Sequence, residues 1–234
     1  YKAVDILTLC NDYTGATELC TLFLKDGYRK NCNGKLLSKA RFMFIKQHQE
    51  RFAQTVIAEM RGVSDENGSS PFWQWLEEHF FSMDFPTADY LTGIGQKVFI
   101  AELMPKYPIY VNLLSKDAQA VIGKVHDNTR PAIELLKSEG FTFNGYVDIF
   151  DGGPTVEAKV DNIATIRNAN NFNVEIGEMT GDTMVLLANE KLEDFRATVA
   201  PMTFDERAKS LILSQEVADA LHLQTGDIVS ATTI

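Results

Sequence analysis

Chemistry in this chain is concentrated in a few places. The first is a basic turn, Arg29-Lys30-Asn31-Cys32-Asn33-Gly34, set between a short apolar run and an amphipathic stretch. A glycine-containing turn that opens a helix presents several backbone N–H groups at the positive end of the helix dipole. That is an anion site, and phosphate is its common occupant. Arg29, Lys30 and Lys35 add positive charge to it. As a bare pattern the turn is equally an ordinary helix start. The second place is His126, in Val-His-Asp-Asn ahead of a helical pattern. Histidine exchanges protons near neutral pH, although one in this position is more often a cap. His48, His79 and His222 read as structural. The four histidines show no HxxxH or HExxH spacing, and Cys10, Cys20 and Cys32 form no CxxC pair, so no protein-bound metal is expected. Cys10 and Cys20 sit among apolar neighbours and are expected to be buried.

The elements that would hold these groups alternate at first. Glu18 to Leu24 reads as a strand. Leu36, Leu37, Ala40, Met43 and Phe44 mark one face of a helix, and Thr55 to Met60 reads as a second strand. Strand, helix and strand predict a βαβ unit with parallel neighbours and a right-handed crossover. Gly62 to Ser70 is a polar loop, and Pro71 opens a helix whose stripe is Phe72, Trp73, Leu76 and Phe80. Phe81 to Phe85 is expected to be a short strand. Residues 88–140 read mostly as helix, with breaks at Gly93, Gly95, Pro105 and Pro108 and a last helix, Asn128 to Glu139, closed by Gly140. Phe141 to Phe150 alternates as a strand, Asp151-Gly152-Gly153-Pro154 is a turn, and Val156 to Val160 can pair back across it.

Beyond residue 168 short strands dominate: Val174–Ile176, Thr183–Leu187, Phe195–Val199 and Ile228–Ala231, with one helix from Gln215 to Leu221. The expected class is α/β (α+β), with a mixed sheet flanked by helices over residues 1–168. A small β-rich, barrel-like subdomain is expected over 169–234.

The 234 residues are 45% hydrophobic and 23% charged, the balance of a chain with a real core. A net charge of −10 argues against nucleic-acid and anionic-membrane partners, which need a basic face, and is compatible with a cationic substrate. No apolar run reaches the roughly 20 residues that cross a bilayer. The first residues lack a basic start and a small-residue cleavage site, so no signal peptide is expected and the cytoplasm is the expected compartment. The chain starts at Tyr1 rather than Met, which suggests processing or one piece of a longer polypeptide.

Several longer words carry a resemblance. NDYTGATELCTLFL, YRKNCNGKLLSKARFMF, VIAEMRG, SPFWQWLEEHFFSMDF, QKVFIAELMPKYPIY, VIGKVH and YVDIFDGGPT occur in this order. Together they closely resemble the arginine N-succinyltransferase family, from near the first residue to at least Thr155 and more weakly into the tail. The resemblance implies a GNAT-like acyltransferase fold. It also implies transfer of succinyl from succinyl-CoA to the α-amino group of L-arginine, the first step of an arginine-degrading pathway. Succinyl-CoA is then a co-substrate, and no tightly bound cofactor is implied. Family members carry a substantial segment ahead of this point, so either another chain supplying that segment or a homo-oligomer is expected as partner. The basic turn resembles the GNAT loop that holds the CoA pyrophosphate, with Arg29, Lys30, Asn33 and Gly34 as its residues. Cys32 stands where the first glycine is usual, and would be strained there if φ had to be positive. Leu22 matches a succinyl-CoA-binding position, although a core leucine is the plainer reading, and His126 matches the proton donor. Arginine as substrate needs acidic partners for its guanidinium and a clamp for its carboxylate. Glu59, Asp148 and Asp151 are candidates for the first, and Arg61 or Arg130 for the second or for the succinyl carboxylate. Two other readings remain open: a sister acyltransferase with another acyl-CoA or amine, and a non-catalytic acyl-CoA-binding partner subunit.

Overall fold

Proline, glycine and capping hydroxyls or carboxylates cut this chain into short elements. The computed structural model describes every residue except Lys2, Ser82 and Lys97, together with the side chains of all the others but Asp89 and Ala101. The strands are β1 (Ile6–Leu7), β2 (Thr17–Glu18), β3 (Thr55–Glu59), β4 (Ile109–Tyr110), β5 (Thr142–Val147), β6 (Pro154–Lys159), β7 (Asn170–Ile176), β8 (Thr183–Ala188), β9 (Ala197–Met202), β10 (Ser210–Leu213) and β11 (Ile228–Thr233). The helices are α1 (Asn33–Gln47), α2 (Pro71–Leu76), α3 (Phe85–Gly93), α4 (Val98–Leu103), α5 (Lys116–Val121), α6 (Arg130–Ser138), α7 (Ala164–Asn168) and α8 (Gln215–Leu221).

Four helix starts follow the same rule. The side chains of Ser70, Asp84, Ser115 and Ser214 accept backbone N–H bonds from the first turns of α2, α3, α5 and α8. Each satisfies a donor that the helix itself leaves unpaired. Pro71 and Pro86 occupy first-turn positions, where a missing N–H costs nothing.

The chain forms two compact units. The first comprises Tyr1–Leu19, Ile57–Glu134 and Thr142–Glu157. Its strands form a two-stranded antiparallel sheet, β1-β4, and a sheet of order β2-β3-β6-β5, in which β5 and β6 are an antiparallel pair with a register shift between Phe143 and Val147. Gly145, at φ 91°, lies inside that shift, as a bulge position favours. Its apolar core gathers Phe72, Trp73, Leu76, Phe81, Leu114 and Val121, where α2 packs on α5.

The second unit comprises Cys20–Val56, Leu135–Phe141 and Ala158–Ile234. Its five-stranded sheet has the order β10-β7-β11-β8-β9 and curls as a half-barrel; β10 and β7 are parallel, the other pairs antiparallel. Helix α8 adds Ala218 and Leu221 to the sheet's core of Phe172, Leu187, Leu213 and Val229. Helix α1 lays Met43 against Leu186 and Ala188. The architecture is therefore the expected mixed α/β class with a β-rich tail.

Three local expectations need correction. The run Glu18–Leu24 forms strand only at Thr17–Glu18, because Thr21 takes φ 52° and leaves the β region. Phe81–Phe85 is not a strand: Phe81 ends a π-helical turn and Phe85 begins α3, with Ser82 outside the described residues. Cys10 and Cys20 are exposed rather than buried, since each lies on a surface segment without regular structure.

Candidate active site

The basic turn lies in the second unit. Asn33 opens α1 and fastens the turn by donating from its side chain to the Tyr28 carbonyl at 3.0 Å. The left-handed position falls on Asn31, at φ 53°, whereas Cys32 has φ −99°. Asparagine tolerates that region better than most residues, so the cysteine carries no backbone strain. Among the described residues no side chain caps α1, and its first turn holds no acidic residue. A Cβ built on Gly34 would meet only Leu24 Cδ2, at 3.9 Å. Nothing in the chain's own packing therefore demands a glycine there. Arg29 pairs with Asp26 at 3.1 Å and donates to the Leu24 carbonyl at 3.1 Å. Lys30 and Lys35 are exposed. Leu22 is 40% exposed, which removes the core reading of that residue.

The other candidates lie in the first unit, around the end of β3. The Asp151 carboxylate binds the backbone N–H of Gly62 at 2.6 Å and that of Gly153 at 2.8 Å. Met60 N–H donates to the Pro154 carbonyl at 3.1 Å. A Cβ on Gly153 would stand 2.1 Å from the Met60 oxygen, and one on Gly62 2.6 Å from the Asp151 oxygen. Two sequence words, AEMRG and DIFDGGPT, thus touch through their glycines. Asp151, a candidate for the substrate, is the carboxylate that joins them. Asp148 accepts from the N–H groups of Phe150 at 2.8 Å and Asp151 at 3.1 Å, which bends the chain back after β5. Glu59 is exposed at the end of β3.

His126 is bound to the same strand end. Its N–H donates to the Arg61 carbonyl at 2.9 Å, and the neighbouring Val125 bridges Gly62. Its Nδ1 accepts from the Asn128 N–H at 3.1 Å, capping the 3-10 turn Asp127–Thr129 that leads into α6. In the neutral ring this leaves the hydrogen on Nε2. His126 borders a cavity of about 340 Å³ with Ser64, Lys124 and Arg130. Arg61 donates to Ser64 Oγ at 2.7 Å, and Arg130 pairs with Asp127 at 2.9 Å. Lys124, Arg130 and the carboxylate of Asp127 all stand on that rim.

The remaining histidines have structural partners. His79 stacks on Trp75 at 4.3 Å and bonds its carbonyl at 2.7 Å. His48 packs edge-on to Phe44, and His222 bonds Asp194 at 2.6 Å. Among the described residues no group of three or more His, Cys, Asp or Glu could hold a metal ion. Among the described residues no helix is long and apolar enough to cross a membrane.

Sequence reasoning missed a second cluster in the first unit. Tyr146 donates its hydroxyl to Asp12 at 2.7 Å, Tyr13 donates to Glu157, and Asn144 donates to Glu157 at 2.8 Å. The two tyrosine rings lie 4.6 Å apart. The bond to Asp12 raises the Tyr146 hydroxyl above its ordinary pKa; burial, followed by the Glu157 bond, raises Tyr13 further. Two adjoining cavities, of about 460 and 370 Å³, share Asp12, Tyr146 and Asp148 on their rims, and Glu59 borders the second. The word NDYTG held Asp12 and Tyr13 in plain view, but their partners lie more than a hundred residues away.

Known proteins bear on the chain as a whole. Residues 1–165 match the family model for the arginine N-succinyltransferase beta subunit, and residues 171–233 match its C-terminal domain. Arginine N-succinyltransferase subunit beta of Pseudomonas aeruginosa is 48% identical over all of this chain and 68% of its own length. Arginine N-succinyltransferase of Salmonella paratyphi B is 51% identical over 98% of this chain and 67% of its own. The solved structure of arginine/ornithine succinyltransferase subunit AI from Pseudomonas aeruginosa superposes with a TM-score of 0.87 at 35% identity. That alignment covers 98% of this chain and 66% of the other. The chain spans about two thirds of the length of these relatives, and it belongs to the arginine N-succinyltransferase family.

Proposed function

We propose that this chain transfers a succinyl group from succinyl-CoA to the α-amino group of L-arginine. The single observation that carries the reading is the start of α1. A helix that opens uncapped, on a glycine its own packing does not require, beside Arg29, Lys30 and Lys35, is built to receive an anion. The diphosphate of CoA is that anion, held by Arg29, Lys30 and the backbone of Asn33 and Gly34. Leu22, on the segment before the turn, aligns the thioester through its backbone.

In the reaction the amine nitrogen bonds to the thioester carbon, the carbonyl becomes an oxyanion, and the C–S bond then breaks. The amine gives up a proton and the departing thiolate takes one up. His126 serves that thiolate as proton donor at Nε2, because Nδ1 is engaged by Asn128. Lys124 and Arg130 beside it favour the developing negative charge. Arg61 holds a substrate carboxylate; Glu59 and Asp148 face the amino substrate.

The active form is an assembly, in keeping with the subunit names of the relatives, and works in the cytoplasm. Residues 1–168 carry the GNAT-like transfer chemistry, and 169–234 form the appended subdomain. The test is an assay with succinyl-CoA and arginine, with N2-succinylarginine read by mass. Product from the purified chain supports the reading; none from the complete assembly overturns it.

A further inference from the structure

Helix α1 carries Lys35, Lys39, Arg41 and Lys46 and no acid, in a chain whose net charge is −10. Lys35 is exposed in the first turn, at the anion-receiving start. Lys39 reaches the buried Glu139 at 2.8 Å. Lys46 stands in the last turn, where the helix dipole favours a cation, and donates to the Ile166 carbonyl at 3.0 Å. Arg41 is different. It lies mid-helix and is largely buried, yet among the described residues no carboxylate pairs with its guanidinium. A charge drawn out of water is normally paired, so one held without an acid is suited to an anion from outside the chain.

The guanidinium is also held by one edge. Its Nε donates to the Ser38 carbonyl and its Nη2 to Ser38 Oγ, both at 3.2 Å, and Ser38 is 2% exposed. Its Cζ lies 5.9 Å from the centre of the Phe42 ring. The other edge, Nη1 with the second hydrogen of Nη2, meets no acceptor among the described residues. That edge is the planar fork with which arginine takes a carboxylate through two parallel bonds.

Two relations place this fork. Arg41 stands two helical turns beyond Gly34 on the same face of α1, about 10 Å along the axis. Burial pulls the Arg41 pKa down and the Cys20 sulfur opposes the shift, so the guanidinium is in the field of the segment that carries Leu22. Cys20 and Leu22 are at most roughly 7 Å apart along the chain.

We infer that Arg41 binds the terminal carboxylate of the acyl group, and that it is the residue by which this chain selects a dicarboxylic acyl-CoA. Ser38 is the positioning residue that holds the guanidinium by its other edge. The inference rests on the acyl-transfer reading and deepens it. With the diphosphate at Gly34 and the thioester at Leu22, the succinyl carboxylate lies three bonds beyond the thioester carbon, within the span from Leu22 to Cys20.

The test is calorimetric titration of the full chain with three stable ligands: S-(3-carboxypropyl)-CoA, S-butyl-CoA and free CoA. The first two differ only in the terminal carboxylate. The unaltered chain is expected to bind the carboxylated thioether at least about tenfold more tightly than the butyl one. Arg41→Met should abolish that gap while S-butyl-CoA and free CoA stay within a factor of two. Ser38→Ala, which adds no bulk to a buried position, should narrow the gap about threefold and decides the matter if Arg41→Met does not fold. No gap in the unaltered chain, or an unchanged gap in the variants that fold, overturns the subsite. Equal loss for all three ligands also overturns it, because the cation then serves the phosphates or the fold. Turnover is read separately. A gap that responds as expected, without N2-succinylarginine being formed, sinks the transfer reaction and leaves the subsite standing. Product formation with the same kcat/KM for succinyl-CoA in Arg41→Met does the reverse.

Discussion

The Asp151 carboxylate and the Gly62 backbone N–H meet at 2.6 Å across 89 residues of sequence. The bond joins the end of β3 to the turn between β5 and β6, and therefore sets where Arg61 presents the carbonyl that holds His126. Asp151→Ala leaves the buried Gly62 N–H and the Gly153 N–H without their charged acceptor. A cost of about 3 kcal/mol is expected, seen as a lower urea midpoint with unchanged slope. Gly62→Ala should be at least as damaging, because its Cβ would meet the Asp151 backbone oxygen at 2.6 Å. A variant of either kind with wild-type stability would show that the latch is not needed.

Glu139 is 1% exposed, yet it is fully partnered. It accepts from Lys39 Nζ at 2.8 Å, Thr165 N–H at 2.7 Å and Thr165 Oγ1 at 3.0 Å. Lys39→Met strands a buried charge and should cost about 3 kcal/mol. Adding Glu139→Gln to it should restore part of the loss, because the orphaned charge is gone. The double-mutant cycle measures this coupling, and strict additivity of the two changes would deny it.

These two latches show what could be read from sequence and what could not. Local signals were legible: Pro71 at a helix start, Gly140 at a helix end, the Asp151–Pro154 turn and the strands of the tail. Each depends on neighbours a few residues apart. Glu18–Leu24 misled because its composition is that of a strand, while one residue, Thr21, sits at positive φ. Strand β10 was missed because Ser210–Leu213 has only four residues and no alternation to announce it. The basic turn and His126 were visible through motif words. The Tyr146–Asp12 pair was not, since a contact spanning 134 positions has no local trace.

His126→Ala should separate chemistry from binding. Its ring caps one short turn, and its backbone bond to Arg61 survives the change. We expect kcat to fall by about two orders of magnitude, while CoA affinity measured by calorimetry stays within a factor of two. A parallel loss of CoA affinity would place the histidine in binding rather than proton transfer. Unchanged kcat would remove it from the reaction.

Asp194 gives a pH signature of stability. Its carboxyl is held below its ordinary value of 3.8, first by the bond to His222 and then by the bond to Arg196. A depressed acid contributes stability that is present above its unfolded pKa and is lost as pH falls through its folded value. Asp194→Asn should therefore lower Tm near neutral pH, and the gap should close as the pH is taken below 3.8. A gap that persists or widens in acid would contradict the assignment.

The α1 turn makes the sharpest distinction between two neighbouring residues. A glycine at position 32 would be useful only if that position needed a positive φ, and it has −99°. The demand falls on Asn31 instead. Cys32→Gly should therefore leave CoA affinity within a factor of two. Asn31→Ala forces a Cβ-bearing residue without a compensating side chain into the left-handed region, at a cost of about 1 kcal/mol. If CoA binds only to the turn as it is built, that cost appears as roughly fivefold weaker binding by calorimetry. Asn31→Gly relaxes the turn and should bind CoA at least as well as the unaltered chain. A strong response at Cys32 with none at Asn31 would mean that the ligand reshapes the turn, moving the left-handed residue one place along the chain.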